Sequence, residues 1–170
     1  MPVYRKFRAL AAAAVLVSAA GAALAAPAAA KDGDAFGAWS VHCPKEPGAT
    51  AKDCRLMQID DIKDKDGKPV KALRASIFHL GEKDFVLGAL LPLGYSIPPG
   101  VRISVDDGQE HELFAQRCVP QGCEVAAKIE PALMAQLKKG KEAKIKFHLG
   151  SRTGIIPVSL KGLSEGLSKF

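Results

Sequence analysis

Apolar and polar residues alternate in short runs along most of the chain beyond position 38. In "WSVHC", Trp39, Val41 and Cys43 fall on one side and Ser40 and His42 on the other; in "VRISVD", Val101, Ile103 and Val105 alternate with Arg102, Ser104 and Asp106. A period of two is the mark of a half-buried strand. "AKIKFHL" repeats it, with Ile145, Phe147 and Leu149 set against Lys144, Lys146 and His148. "DFVLGALL" is apolar at nearly every position, which predicts a central strand covered on both faces. "IIPVSL" contains Pro157, whose missing N–H confines that run to a sheet edge. Two Asp-Gly turns, in "DKDGKP" and "VDDGQE", join "CRLMQID" to "VKALRASIFHL" and "VRISVD" to "HELFAQRC" as hairpins.

One segment breaks the period. "EPALMAQLKKG" carries Pro131 at a first helical position, Leu133, Met134 and Leu137 on one face, Lys138 and Lys139 in a last turn and Gly140 as a stop. "SEGLSKF" supplies a second short turn near the end. About nine evenly spaced strands with one or two short helices predict a mainly β, antiparallel β-sandwich.

The first thirty residues follow a different rule. "MPVYRKFRAL" bears Arg5, Lys6 and Arg8 and runs into an Ala-rich apolar stretch ending in small residues, the pattern of a secretory signal peptide. Ala23 and Ala25 fit cleavage after residue 25, and Ala28 and Ala30 fit cleavage as late as residue 30. The expected organisation is a leader over 1–25 and one domain over 31–170. Removing the leader takes three positive charges and no negative one, so the net charge of +6 falls to +3. That mild excess gives no warrant for nucleic-acid binding. About 140 residues remain, enough for one domain with its own core, and no second apolar span follows. The expected location is the periplasm or cell envelope.

An exported chain with four cysteines, Cys43, Cys54, Cys118 and Cys123, reads as two disulfides. Three connectivities are open, and strand geometry favours local pairing. "HELFAQRC" and "CEVAAKIE" laid antiparallel around "VPQG" put Cys118 opposite Cys123, about 4.5 Å apart at Cα in a non-hydrogen-bonded pair, within disulfide reach. Phe114, Val125, Ala127 and Ile129 then share the bridge's face and are expected to be buried. The spacings of the four cysteines match neither zinc patterns nor the C-x-x-C of redox enzymes.

Motifs for chemistry fail on inspection. "HELFA" opens like a zinc-protease helix, but Ala115 stands where the second His is needed and the segment reads as strand. The loop around Asp64, Asp66 and Gly67 has Ile62 and Leu73 at positions where a calcium loop needs acids. His42, His79, His111 and His148 lie on four separate strands. No catalytic residue, metal ligand or cofactor is assigned. The basic group Lys138, Lys139, Lys141, Lys144 and Lys146 reads as a solvated surface. The apolar, proline-broken loop "LLPLGYSIPPG" is the candidate partner-binding segment, through Leu91, Leu93, Tyr95 and Ile97.

Taken in order, "FGAWSVHC", "CRLMQ", "LPLG", the spacing from Phe114 through Cys118 to Cys123, and "PVSLKGL" resemble the invasion-associated locus B family of bacterial envelope proteins. The resemblance implies an immunoglobulin-like β-sandwich exported by Gram-negative bacteria, with members in pathogens associated with host-cell entry. It implies no catalytic residues. Leu163 stands where the family often has an aromatic after "SLKG". The expected function is a non-enzymatic interaction module that binds a protein or envelope component; the alternative is a periplasmic enzyme or thiol-exchange protein.

Overall fold

The alternating runs form strands because each has one face to bury, and the turn residues between them fix where each strand stops. In the computed structural model, residues 29–63 and 67–170 are described. The leader and Asp64–Asp66 of the first Asp-Gly turn lie outside them. The strands are β1 (Ala35–Phe36), β2 (Trp39–His42), β3 (Arg55–Lys63), β4 (Pro69–Leu80), β5 (Asp84–Leu91), β6 (Val101–Val105), β7 (His111–Val119), β8 (Gly122–Lys128), β9 (Glu142–Leu149) and β10 (Arg152–Ser159). Two helices, α1 (Pro131–Lys139) and α2 (Leu163–Lys169), complete the order.

All neighbours are antiparallel, in the order β1-β2-β3-β4-β5-β8-β7-β6-β9-β10. The fold is thus mainly β with two short helices, and hydrogen bonding runs through it without a break. β7 is the fold line. Its first three residues, His111–Leu113, pair with β6, while Phe114–Val119 pair with β8. One leaf therefore holds β1 to β5, β8 and the second half of β7; the other holds the start of β7, β6, β9 and β10.

The leaves enclose one core, with Val41, Leu56, Ile77, Leu87, Leu91 and Val125 facing Val101, Ile103, Ile145, Phe147 and Val158. Where β10 reaches the first leaf, Trp39 donates its indole N–H to the Ser159 carbonyl at 2.8 Å, and the Ser159 N–H reaches Gln58 Oε1 at 3.0 Å. Pro157 sits on β10, an edge strand, as its missing donor requires.

The helices follow their sequence signals. α1 begins with Pro131, buries Leu133 and Leu137 one turn apart, and stops at Gly140, whose N–H bonds to Gln136. α2 starts from Gly162, at φ +85°, where a side chain would run into the Phe36 carbonyl. Beside it the Ala38 N–H bonds to Lys161 O at 3.0 Å, so β1–β2 and the approach to α2 cross backbone to backbone. The turn after β6 places Asp106 and Asp107 at positive φ, and the Asp106 carboxylate accepts the N–H groups of Lys141 and Glu142, fixing the passage from α1 into β9.

One burial expectation is corrected. Val125 and Ile129 are buried, but Phe114 is 56% exposed and Leu113 takes the inward place. A register shift between Ala115 and Arg117 inserts Gln116 as an extra residue. Because strand side chains alternate with period two, that single insertion turns Phe114 to the outer face.

Candidate functional site

The outer face of the first leaf carries a groove of about 750 Å³. Its floor comes from register. Ser76 pairs with Gly88, Gly88 with Ala126, and Ala126 with Phe114, so a row of three small residues crosses β4, β5 and β8 and ends against an exposed ring. On one side of this row stand Phe78 and Val86, paired across β4 and β5; on the other stands Leu90. Gly88 keeps the trough open, since a Cβ there would meet Ser76 Oγ at 3.3 Å.

Charges rim this apolar floor. Arg117 holds Glu124 through two bonds of 2.9 and 3.1 Å, and Lys128 pairs with Asp84 at 3.0 Å. The Arg117 bond, with the nearby positive charges of Arg117 and Arg55, keeps the Glu124 carboxyl below its ordinary pKa, while Glu124 raises that of Arg117. Lys128 is likewise held protonated by Asp84. These groups stay charged at neutral pH, which suits recognition and makes them poor proton carriers. Arg55 lies over the Phe78 ring at 4.5 Å and, among the described residues, has no carboxylate partner.

The second leaf presents a contrasting outer face. Arg102–Glu112, Lys146–Glu110 and Lys144–Asp107 form a ladder of ion pairs at 3.2, 2.7 and 2.8 Å. Such a face is satisfied by water.

The structure joins Cys43 to Cys54 and Cys118 to Cys123, the local scheme, each bridge within one leaf and none between leaves. Cys54 and Cys123 are buried while Cys118 is exposed, and none of the four cysteines lines the groove. The candidate loop divides. Leu91 and Tyr95 are core residues, Tyr95 only 7% exposed, because Leu91 ends a strand whose inner face meets the second leaf. Leu93 and Ile97 point outward, 55% and 59% exposed, and neither lines the groove.

The histidines do not converge. His79 clusters with Phe85 and Phe170, His111 reaches Gln136, and His42, exposed at the end of β2 and outside the groove, meets Ser40 Oγ at 2.9 Å. Among the described residues no three His, Cys, Asp or Glu side chains are grouped to hold a metal ion. No helix among them is long and apolar enough to cross a membrane.

The sequence marks none of the groove residues Ser76, Phe78, Gly88, Phe114 and Ala126 as a site, and it places Phe114 in the core. The only signal is a period-two match of small residues on three strands, and it becomes visible only once the register is known.

Fold and surface together define a mainly β, antiparallel protein stapled by two local disulfides, with one leaf's outer face apolar and open. The chain belongs to the invasion associated locus B (IalB) protein family, whose model matches residues 39–170. It is similar in fold to the crystal structure of invasion associated protein b from Bartonella henselae, with a TM-score of 0.63 and 22% identity over 80% of this chain and 92% of that one. Comparison with curated proteins finds no match.

Proposed function

We propose that this chain is an exported, non-enzymatic interaction module of the bacterial periplasm or envelope, and that it docks a partner through the groove on its first leaf. In a pathogen that docking would serve host-cell invasion, the role by which the family is named. The observation that carries the reading is the contrast between the leaves: among the described residues one outer face carries three ion pairs and no comparable groove, with Ile155 exposed singly, while the other holds a large apolar trough between locked charges. Large exposed apolar concavities on soluble proteins mark interaction sites. Export is supported by the basic, Ala-rich start and by cysteines that are all paired.

A photocrosslinking residue at Phe114, compared in living cells with the same residue at Lys144, tests the docking face. Phe114 should give a discrete crosslinked species that Gly88→Leu abolishes. Equal labelling from both positions, or none from Phe114, rejects the groove.

A further inference from the structure

The groove opens at one end onto a strand edge. β6 accompanies β7 only as far as the Val101–Leu113 pair, and Gly100, at φ +76° after Pro98 and Pro99, turns the chain away. From Phe114 to Val119 the ladder partners of β7 all lie on β8. The disulfide shows which groups face the vacant side. Cys118 and Cys123 are opposed with Cα atoms 3.9 Å apart, the close spacing of a non-hydrogen-bonded pair. In such a pair neither residue's N–H and C=O point at the other, so those of Cys118 point away from β8, to the open edge. The bridge thus holds a short exposed edge in fixed register, beside Phe114 and Arg117 at the groove's margin.

Open edges are usually blunted, and this one is short, with a bulge at Gln116, whose side chain bonds to the Phe114 carbonyl. Those devices limit pairing to a few residues without covering Cys118. Besides the paired charges Arg117–Glu124 and Lys128–Asp84, the groove lining carries Arg55, a single positive excess. An occupant with acidic groups complements it.

We infer that the β7 edge at Ala115–Val119 is a strand-addition site for an extended peptide, whose groove-facing side chains, two residues apart, are apolar where they pass Phe114 and include an acidic one toward the cationic rim. The inference rests on the docking reading and names the partner's chemistry. Backbone pairing gives such a site its affinity and the side-chain trough its selectivity.

The test uses the exported, disulfide-intact protein and a pool of capped heptapeptides in which the odd positions carry Val, Ile, Leu or Phe with one Asp or Glu, and the even positions carry Thr. A second pool of the same sequences carries N-methyl groups on alternate amides; laurate is a third probe. The parent pool should bind, slow amide exchange at Cys118, and bind about tenfold more tightly than the N-methylated pool, as expected for two or so lost backbone hydrogen bonds. Phe114→Asp, a change at an exposed position whose fold is checked by circular dichroism, should abolish binding. Equal binding of both pools, lost together with Phe114→Asp, overturns strand addition and leaves groove docking standing. Binding of laurate alone overturns the peptide and assigns the groove to an anionic amphiphile. Binding of none, or binding indifferent to Phe114→Asp, overturns both.

Discussion

The indole N–H of Trp39 donates to the main-chain oxygen of Ser159 at 2.8 Å, linking residues 120 positions apart and tying the last strand of one leaf to the second strand of the other. The ring is 1% exposed, so this bond stands in a dry place where a lost partner is costly. Trp39→Phe removes the donor and part of the ring volume, and should lower stability by about 2 kcal/mol. Urea unfolding followed by circular dichroism measures it, since Trp39 is the only tryptophan and fluorescence would be lost with it.

Tyr95 offers the opposite case. Burial pushes its phenol above the ordinary pKa, and among the described residues its hydroxyl has no hydrogen-bond partner. Tyr95→Phe should therefore leave stability unchanged or raise it by up to about 1 kcal/mol, because an unsatisfied group is removed. Tyr95→Ala should lower it by about 3 to 5 kcal/mol through the cavity left behind. A similar loss in both variants, read from urea midpoints, would show that the hydroxyl has a stabilising partner.

The two bridges should differ modestly. They close loops with sequence separations of 11 and 5, for which the chain-entropy model gives about 3 and about 2 kcal/mol. Cys43→Ala/Cys54→Ala should accordingly cost slightly more than Cys118→Ala/Cys123→Ala. Titration of free thiols in protein isolated without reductant should find none, whereas one reduced pair would favour the thiol-exchange alternative.

Stability should fall on the acid side. Hydrogen bonds from Lys144, Lys146 and Arg117, chiefly, hold the carboxyls of Asp107, Glu110 and Glu124 below their ordinary values of 3.8, 4.5 and 4.5. A carboxyl with a lower pKa in the folded chain stabilises the fold above its unfolded pKa and loses that contribution as pH falls through the folded one. The urea midpoint contributed by these groups should be level from pH 7 to about 5 and decline below about 4.5. Asp107→Asn/Glu110→Gln should make that decline shallower; an unchanged slope would remove these pairs from the acid response.

How far the sequence was legible follows from the range over which each signal acts. Alternation within "WSVHC", "VRISVD" and "AKIKFHL", the Pro131 start and the Gly140 stop are local, and each element forms where its own residues place it. The Cys118–Cys123 hairpin is nearly as local. The groove is different, because its floor is one residue from each of three strands, and only pairing register aligns Ser76, Gly88 and Ala126. Phe114 was misplaced for a related reason: the extra residue Gln116 reverses the facing of everything before it, and nothing in "HELFAQRC" announces a bulge. Tyr95 was offered as a docking residue since composition cannot tell an apolar loop tucked inward from one left outside.

The crossing of Phe36 over Gly162 sets an order of events. A side chain at Gly162 would strike the Phe36 carbonyl, so two segments separated by most of the domain must meet with bare backbones. Contacts of that sequence separation are slow to close, because the loop between them must be restrained before they repay it. β1 can pair with β2 at once, but its contact with α2 waits until α2 itself has been made. The domain's two ends are thus closed against each other late, after the hairpins between them can already have formed.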